Sequence, residues 1–114
     1  MILVVDDDPR ILSATRQILI EQGYGVIACP DGPSALIALE DNPAISMIVT
    51  DVLMPGMAGT DLVRIAAQQR PNLRILFMSG DVGDTKTEDF GGHPLLAKPF
   101  TAAALLSAVA TILN

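Results

Sequence analysis

Apolar and polar positions follow two rhythms along this chain. Short runs that are apolar at nearly every residue alternate with longer stretches that are apolar every third or fourth residue. Ile2–Val5 is the first short run; it is β-branched, continuous and too short for a helix, so it reads as a strand. Asp8-Pro9 then reads as an N-cap followed by proline at the first helical position. Ile11, Leu12, Ile18 and Leu19 share one face of that helix, and Gly23 stops it. Residues 25–29 form a second, weaker strand. Asp31-Gly32-Pro33 opens a second helix through about Glu40, ended by Asn42-Pro43. Residues 45–50 are a third strand, apolar on both faces, followed by a loop over 51–59 rich in Gly, Met and Pro. A third helix over about 60–69 closes at Pro71. Residues 74–78 and Leu95–Ala97 are the fourth and fifth strands, and Thr101 caps a last helix to about Leu113.

Strands apolar on both faces and separated by helices predict a parallel sheet covered on both sides. The expected fold is α/β: a doubly wound five-stranded parallel sheet in the flavodoxin-like order 2-1-3-4-5, one domain over residues 1–114. Between the fourth and fifth strands, Gly80, Gly83, Gly91, Gly92 and Pro94 leave only residues 84–90 for a helix. That helix is expected to be short, irregular or mobile, because isolated helices below about 12–15 residues are marginal. Composition narrows the function. The single cysteine, Cys29, excludes a disulfide framework and a multi-cysteine zinc site. A net charge of −6 is a poor match for phosphate backbones and anionic membranes, so neither nucleic acid nor membrane is an expected partner. Asp6-Asp7-Asp8 ends the first apolar run after five residues, too early for a signal peptide or a membrane span. The expectation is a soluble, cytoplasmic protein.

Chemistry gathers at the strand ends. Asp6, Asp7 and Asp8 follow the first strand, Asp51 the third, Ser79 and Gly80 the fourth, and Lys98-Pro99 the fifth. In the order 2-1-3-4-5 the first and third strands are neighbours, and ligands bind at the carboxyl ends near that switch point. Asp6, Asp7 and Asp51 would then crowd together. Two like charges about 4 Å apart repel by roughly 4 kcal/mol at an effective dielectric of about 20, so protons or a cation must offset them. Oxygen donors suit a hard ion, Mg²⁺ before Zn²⁺. Carboxylates, a hard cation, a lysine and a hydroxyl together suit a phosphoryl group, with one carboxylate able to act as nucleophile.

Four motifs in this order carry a family resemblance: Val4-Val5-Asp6-Asp7, the run Val49-Thr50-Asp51-Val52-Leu53-Met54-Pro55-Gly56 with Gly59, Met78-Ser79-Gly80, and Lys98-Pro99-Phe100. Over essentially its whole length the chain resembles the receiver domain of two-component response regulators. The second and third motifs especially resemble receivers fused to hybrid histidine kinases. The resemblance implies that Asp51 takes a phosphoryl group from a histidine kinase or histidine phosphotransfer protein. It implies Mg²⁺ held by Asp7 directly, by Asp6 through a water, by Asp51 and by the main-chain carbonyl of Leu53. Ser79 would hydrogen-bond the phosphoryl oxygen and move on modification, Lys98 would pair with the phosphoryl group, and the Lys98-Pro99 peptide would be cis. Such a domain is a switch and not an enzyme acting on a diffusible product. Three positions depart from or specialise the pattern. Leu95 stands where many members carry an aromatic that couples the site to the output face. The resemblance implies that Leu53 and Asp81 would flank the water approach, and an apolar Leu53 then implies a long-lived phosphoryl state.

Plainer readings compete at several positions. Asp8 is explained as a helix cap, Cys29 as filler at the end of the second strand, and His93 as a loop residue beside Gly91, Gly92 and Pro94. Met54 and Met57 are either packing or part of a docking surface. The last helix carries more apolar residues than one buried stripe needs, so it is a candidate face for a homodimer, unless its alanines are simply tolerated in solvent. The rival function is a small Mg²⁺-dependent phosphohydrolase of haloacid-dehalogenase type, with Asp6 and Asp8 as nucleophile and acid–base pair. It leaves Asp51 without a role and lacks a late acidic ligand after Lys98. A nucleotide- or flavin-binding domain ranks last, since no glycine-rich loop follows the first strand.

Overall fold

The computed structural model describes residues 1–80 and 91–114. In chain order it places β1 (Ile2–Val5), α1 (Pro9–Glu21), β2 (Val26–Cys29), α2 (Gly32–Asp41), β3 (Met47–Asp51), α3 (Gly59–Gln69), β4 (Arg74–Ser79), β5 (Leu95–Ala97) and α4 (Ala102–Leu113). The strands form one parallel sheet in the order β2-β1-β3-β4-β5, as the pattern predicts. The expected helix over 84–90 lies outside the described residues.

Alternation along each strand divides the core in two. Leu3 and Val5 of β1, with Ile48 and Phe77, pack under α2 and α3 through Ala35, Leu39, Leu62, Val63 and Ala66. Ile2 and Val4, with Val49 and Met78, pack under α1 and α4 through Leu19, Leu105 and Val109. Burial on both faces explains why β1 and β3 read as continuous apolar runs.

Local chemistry starts the helices where the sequence marks them. Asp8 caps α1 by accepting from the Arg10 amide at 2.9 Å, and Asp31 caps α2 by accepting from the Ser34 amide at 2.8 Å. Thr101 Oγ1 accepts from the Ala104 amide at 3.0 Å and starts α4. The second strand starts one residue later than expected, at Val26, the fourth runs one residue further, to Ser79, and both ends of the third move. The third strand begins at Met47, because Ile45 instead bonds back to the Asn42 carbonyl at 3.1 Å. It also runs one residue further, to Asp51, because Asp51 still pairs with Met78. Asp51 therefore sits on the sheet, not in a loop.

In α4 the larger side chains Leu106, Ile112 and Leu113 lean on the second core cluster. Its exposed positions are Ala102, Ala103, Ala104, Ser107 and Thr111, which answers the surplus of apolar letters with small residues in solvent. Among the described residues no helix is long and apolar enough to cross a membrane.

Candidate functional site

The carboxyl ends of β1, β3, β4 and β5 converge on one rim. Asp6 extends β1, its amide donating to the Cys29 carbonyl at 3.2 Å. Its side chain is fully buried, and both carboxylate oxygens have donors. Oδ1 accepts from the Asp8 amide at 2.9 Å and Oδ2 from Lys98 Nζ at 2.8 Å. Asp7 follows and is exposed. Asp51 ends β3, is buried, and lies 3.2 Å from Lys98 Nζ through Oδ2. Oxygens of Asp6, Asp7 and Asp51 all fall within 4.8 Å of one another. Ser79 ends β4, buried, and its carbonyl accepts from the Lys98 amide at 2.8 Å. Lys98 thus reaches the carboxylates from a backbone already tied to β4. The Lys98-Pro99 peptide is cis.

Leu53 stands two residues past Asp51 and is 66% exposed. The structure therefore brings Asp6, Asp7, Asp51 and Lys98 together and sets Ser79 at the end of the adjacent strand. Asp81 lies outside the described residues.

The electrostatics follow from burial and charge. Burial pushes the Asp51 carboxyl above its ordinary range; the Lys98 ammonium opposes this, and the charges of Asp6 and Asp7 add to it. Burial also disfavours the charged form of Lys98. Its hydrogen bond and charge attraction to Asp6, then to Asp51, outweigh that and raise its pKa. Among the described residues three carboxylates face one ammonium, so the cluster keeps a surplus of negative charge on oxygen donors. That is the donor set a hard divalent cation prefers, and the residues present fit Mg²⁺.

Asp8 stays apart from this cluster. Its carboxylate is spent on the α1 cap and on a 3.6 Å pair with Arg10, which removes the acid–base partner required by the phosphohydrolase alternative. Other plain readings hold. Cys29 is buried, and burial followed by the Asp31 charge pushes its thiol up. His93 sits with its ring centroid 6.1 Å from that of Phe77. Met54 belongs to the core, and Met57 packs against Gly32 so closely that a Cβ there would meet its sulfur at 2.6 Å. Leu95 packs partly buried against the first core cluster.

Three features escaped sequence reasoning. The Asp8 amide, not its side chain, serves the site by holding Asp6. The Thr50 hydroxyl donates to the main-chain carbonyl of Asp51 at 3.0 Å. A groove of about 580 Å³ runs beside the cluster from Lys98 and Phe100 across to Ile11, Ala14 and Ile18 of α1. No one-dimensional signal marks the first or the last, because an amide and a groove carry no letter. A lone threonine at the end of an otherwise apolar run was the available sign of the second.

Residues 2–110 match the response regulator receiver domain family. The chain is 31% identical to the transcriptional regulatory protein CpxR of Escherichia coli K12 over 115 residues, which span 99% of this chain and 49% of CpxR. It is 34% identical to the response regulator protein FleR of Pseudomonas aeruginosa over 112 residues, 96% of this chain and 24% of FleR. The chain thus spans about half the length, or less, of these curated relatives. Among solved structures, the Vibrio cholerae chemotaxis protein CheY4 superposes with a TM-score of 0.90 at 28% identity, covering 97% of this chain and 96% of CheY4. The receiver domain of the hybrid histidine kinase CckA gives 0.83 at 31% identity, covering 99% and 98%.

Proposed function

Because the chain belongs to the response regulator receiver domain family, a family of phosphoacceptor switches, we propose that Asp51 is its phosphoryl acceptor. One observation carries this assignment: Asp51 is a buried carboxylate at a switch-point strand end, 3.2 Å from Lys98 Nζ and inside the acidic cluster, whereas both oxygens of its buried neighbour Asp6 already accept hydrogen bonds. An Asp51 carboxylate oxygen attacks the phosphorus of a phosphorylated histidine. The P–N bond breaks, and its electron pair leaves with the imidazole. Lys98 is already seated between Asp6 and Asp51, so its charge meets the incoming phosphoryl oxygens with little reorganisation. The Ser79 hydroxyl donates to a phosphoryl oxygen from the end of β4 and shifts toward it on modification.

Asp7 and Asp51, Asp6 through a water, and the Leu53 carbonyl are the groups that would hold Mg²⁺. When bound, the ion neutralises charge on the carboxylates and the phosphoryl group. The donor is a histidine kinase or a histidine phosphotransfer protein working in the cytoplasm. The output is a change in which protein docks on the domain, without contact between this domain and nucleic acid. A place in a hybrid kinase suits the wording of the second and third motifs.

The test is intact mass after incubation with Mg²⁺ and acetyl phosphate. Wild type should gain one phosphoryl group and Asp51→Asn none. An adduct persisting in Asp51→Asn but lost in a variant at Asp6 would overturn the assignment.

A further inference from the structure

Thr50 is an odd residue for its place. It is fully buried in β3 between Val5 of β1 and Phe77 of β4, where a valine of the same shape would carry no polar cost. Its hydroxyl donates at 3.0 Å to the carbonyl of Asp51, the next residue. That carbonyl lies under the first residue of α3, where a Cβ on Gly59 would come within 1.9 Å of it. Both main-chain polar groups of Val52 are also taken. The Val52 amide donates to the Met78 carbonyl at 3.1 Å, and the Val52 carbonyl accepts from the Gly59 amide at 2.8 Å.

A peptide unit is planar, so fixing its oxygen on one side and its N–H on the other fixes its orientation. The Thr50 hydroxyl and the Met78 carbonyl do this for the unit joining Asp51 to Val52. The Gly59 amide extends the restraint to the next unit, which leads into Leu53. The first of those units starts from the Cα that carries the Asp51 side chain, and the second delivers the chain to Leu53.

We propose that Thr50 is a positioning residue for the Asp51 site, orienting the main chain that presents Asp51 to the cation and leads into Leu53. This rests on the assignment of Asp51 as acceptor and of these groups as cation ligands. Loss of the hydroxyl leaves one side of the peptide unit free, so the ligands are no longer held in register before the ion arrives.

The cleanest comparison is Thr50→Ala with Thr50→Ser, which differ only in the hydroxyl, with Thr50→Val as the isosteric check. Mg²⁺ alone is titrated against the amide resonances of Asp7, Val52 and Leu53. Thr50→Ala and Thr50→Val should weaken Mg²⁺ binding about fivefold, the size of one lost hydrogen bond, while Thr50→Ser stays within about twofold of wild type. In metal-free protein the Val52 and Gly59 amides should exchange faster in Thr50→Ala than in Thr50→Ser. The rate of adduct formation from acetyl phosphate should follow the same ranking. Equal Mg²⁺ affinity in Thr50→Ala and Thr50→Ser, whatever their melting temperatures, would reduce the hydroxyl to a structural role and overturn the inference. If wild type binds Mg²⁺ but takes no phosphoryl group, the acceptor assignment fails while the variant ranking still decides the role of Thr50. If wild type does not bind Mg²⁺, both fail.

Discussion

Replacing Gly59 by alanine sets two physical effects against each other. Gly59 is the first residue of α3, and no positive φ marks it. Helix propensity alone therefore favours alanine by about 0.5–1 kcal/mol. The structure predicts the opposite sign. The new Cβ would stand 1.9 Å from the Asp51 carbonyl oxygen and 2.9 Å from its carbon, both of them backbone atoms at the end of a buried strand. An ordinary carbon–oxygen contact needs about 3.3–3.6 Å, so α3 or the end of β3 must yield by more than 1 Å. Neither moves freely, since α3 buries Leu62, Val63 and Ala66 in the core and Asp51 is paired in the sheet. Overpacking of this kind costs about 1–3 kcal/mol, and set against the propensity gain it leaves a net loss of roughly 1–2 kcal/mol. For a domain near this size that is a fall in melting temperature of about 5–10 °C. Thermal unfolding followed by circular dichroism reads it directly. Gly25→Ala serves as control, because its Cβ meets nothing nearer than the Met1 side chain at 3.8 Å. A Gly59→Ala protein that melts at or above wild type would refute the packing argument.

Other consequences follow from the charge cluster. Asp51 has a folded-state pKa above its ordinary value, so its contribution to stability is present below the unfolded pKa and is lost as pH rises through the folded one. Without Mg²⁺, Asp51→Asn should therefore melt higher than wild type at neutral pH, and the gap should shrink as pH falls toward about 4; a gap that is independent of pH would contradict this. Lys98→Met removes the ammonium from buried Asp6 and should cost about 3 kcal/mol. The same variant should bind Mg²⁺ more tightly than wild type in calorimetric titration, because the ion then meets carboxylates with no internal cation. The exposed aliphatic side chain of Leu53 offers no hydrogen bond to an attacking water, so the phosphoryl adduct should outlast a scale of seconds by mass. Leu53→Asn should shorten its life.

Local rules made most of the architecture legible. β1 and β3 are apolar on both faces because both faces are covered, and that alone implies a parallel sheet with helices on either side. Asp8, Asp31 and Thr101 announced three helix starts, since capping is chemistry between near neighbours in the chain. Four motifs at four strand ends pointed to one rim once the strand order was assumed. Asp8 was legible as a cap for the same local reason, while its amide bond to Asp6 was not.

What the letters alone determined, then, is the periodicity, the caps and the residue types available at each strand end. These depend on neighbours a few positions away. Tertiary structure decided which oxygen meets which charge: Lys98 reaches across 92 positions to Asp6, and the first residue of α3 closes over the Asp51 carbonyl. It also decided the fate of the apolar surplus in α4, where Leu106, Ile112 and Leu113 turn to the core and alanines meet water. Distances of this kind are set by how whole elements pack. A close approach, a buried hydroxyl bonded to the next carbonyl and a shared ammonium exist only once the sheet has brought its ends together.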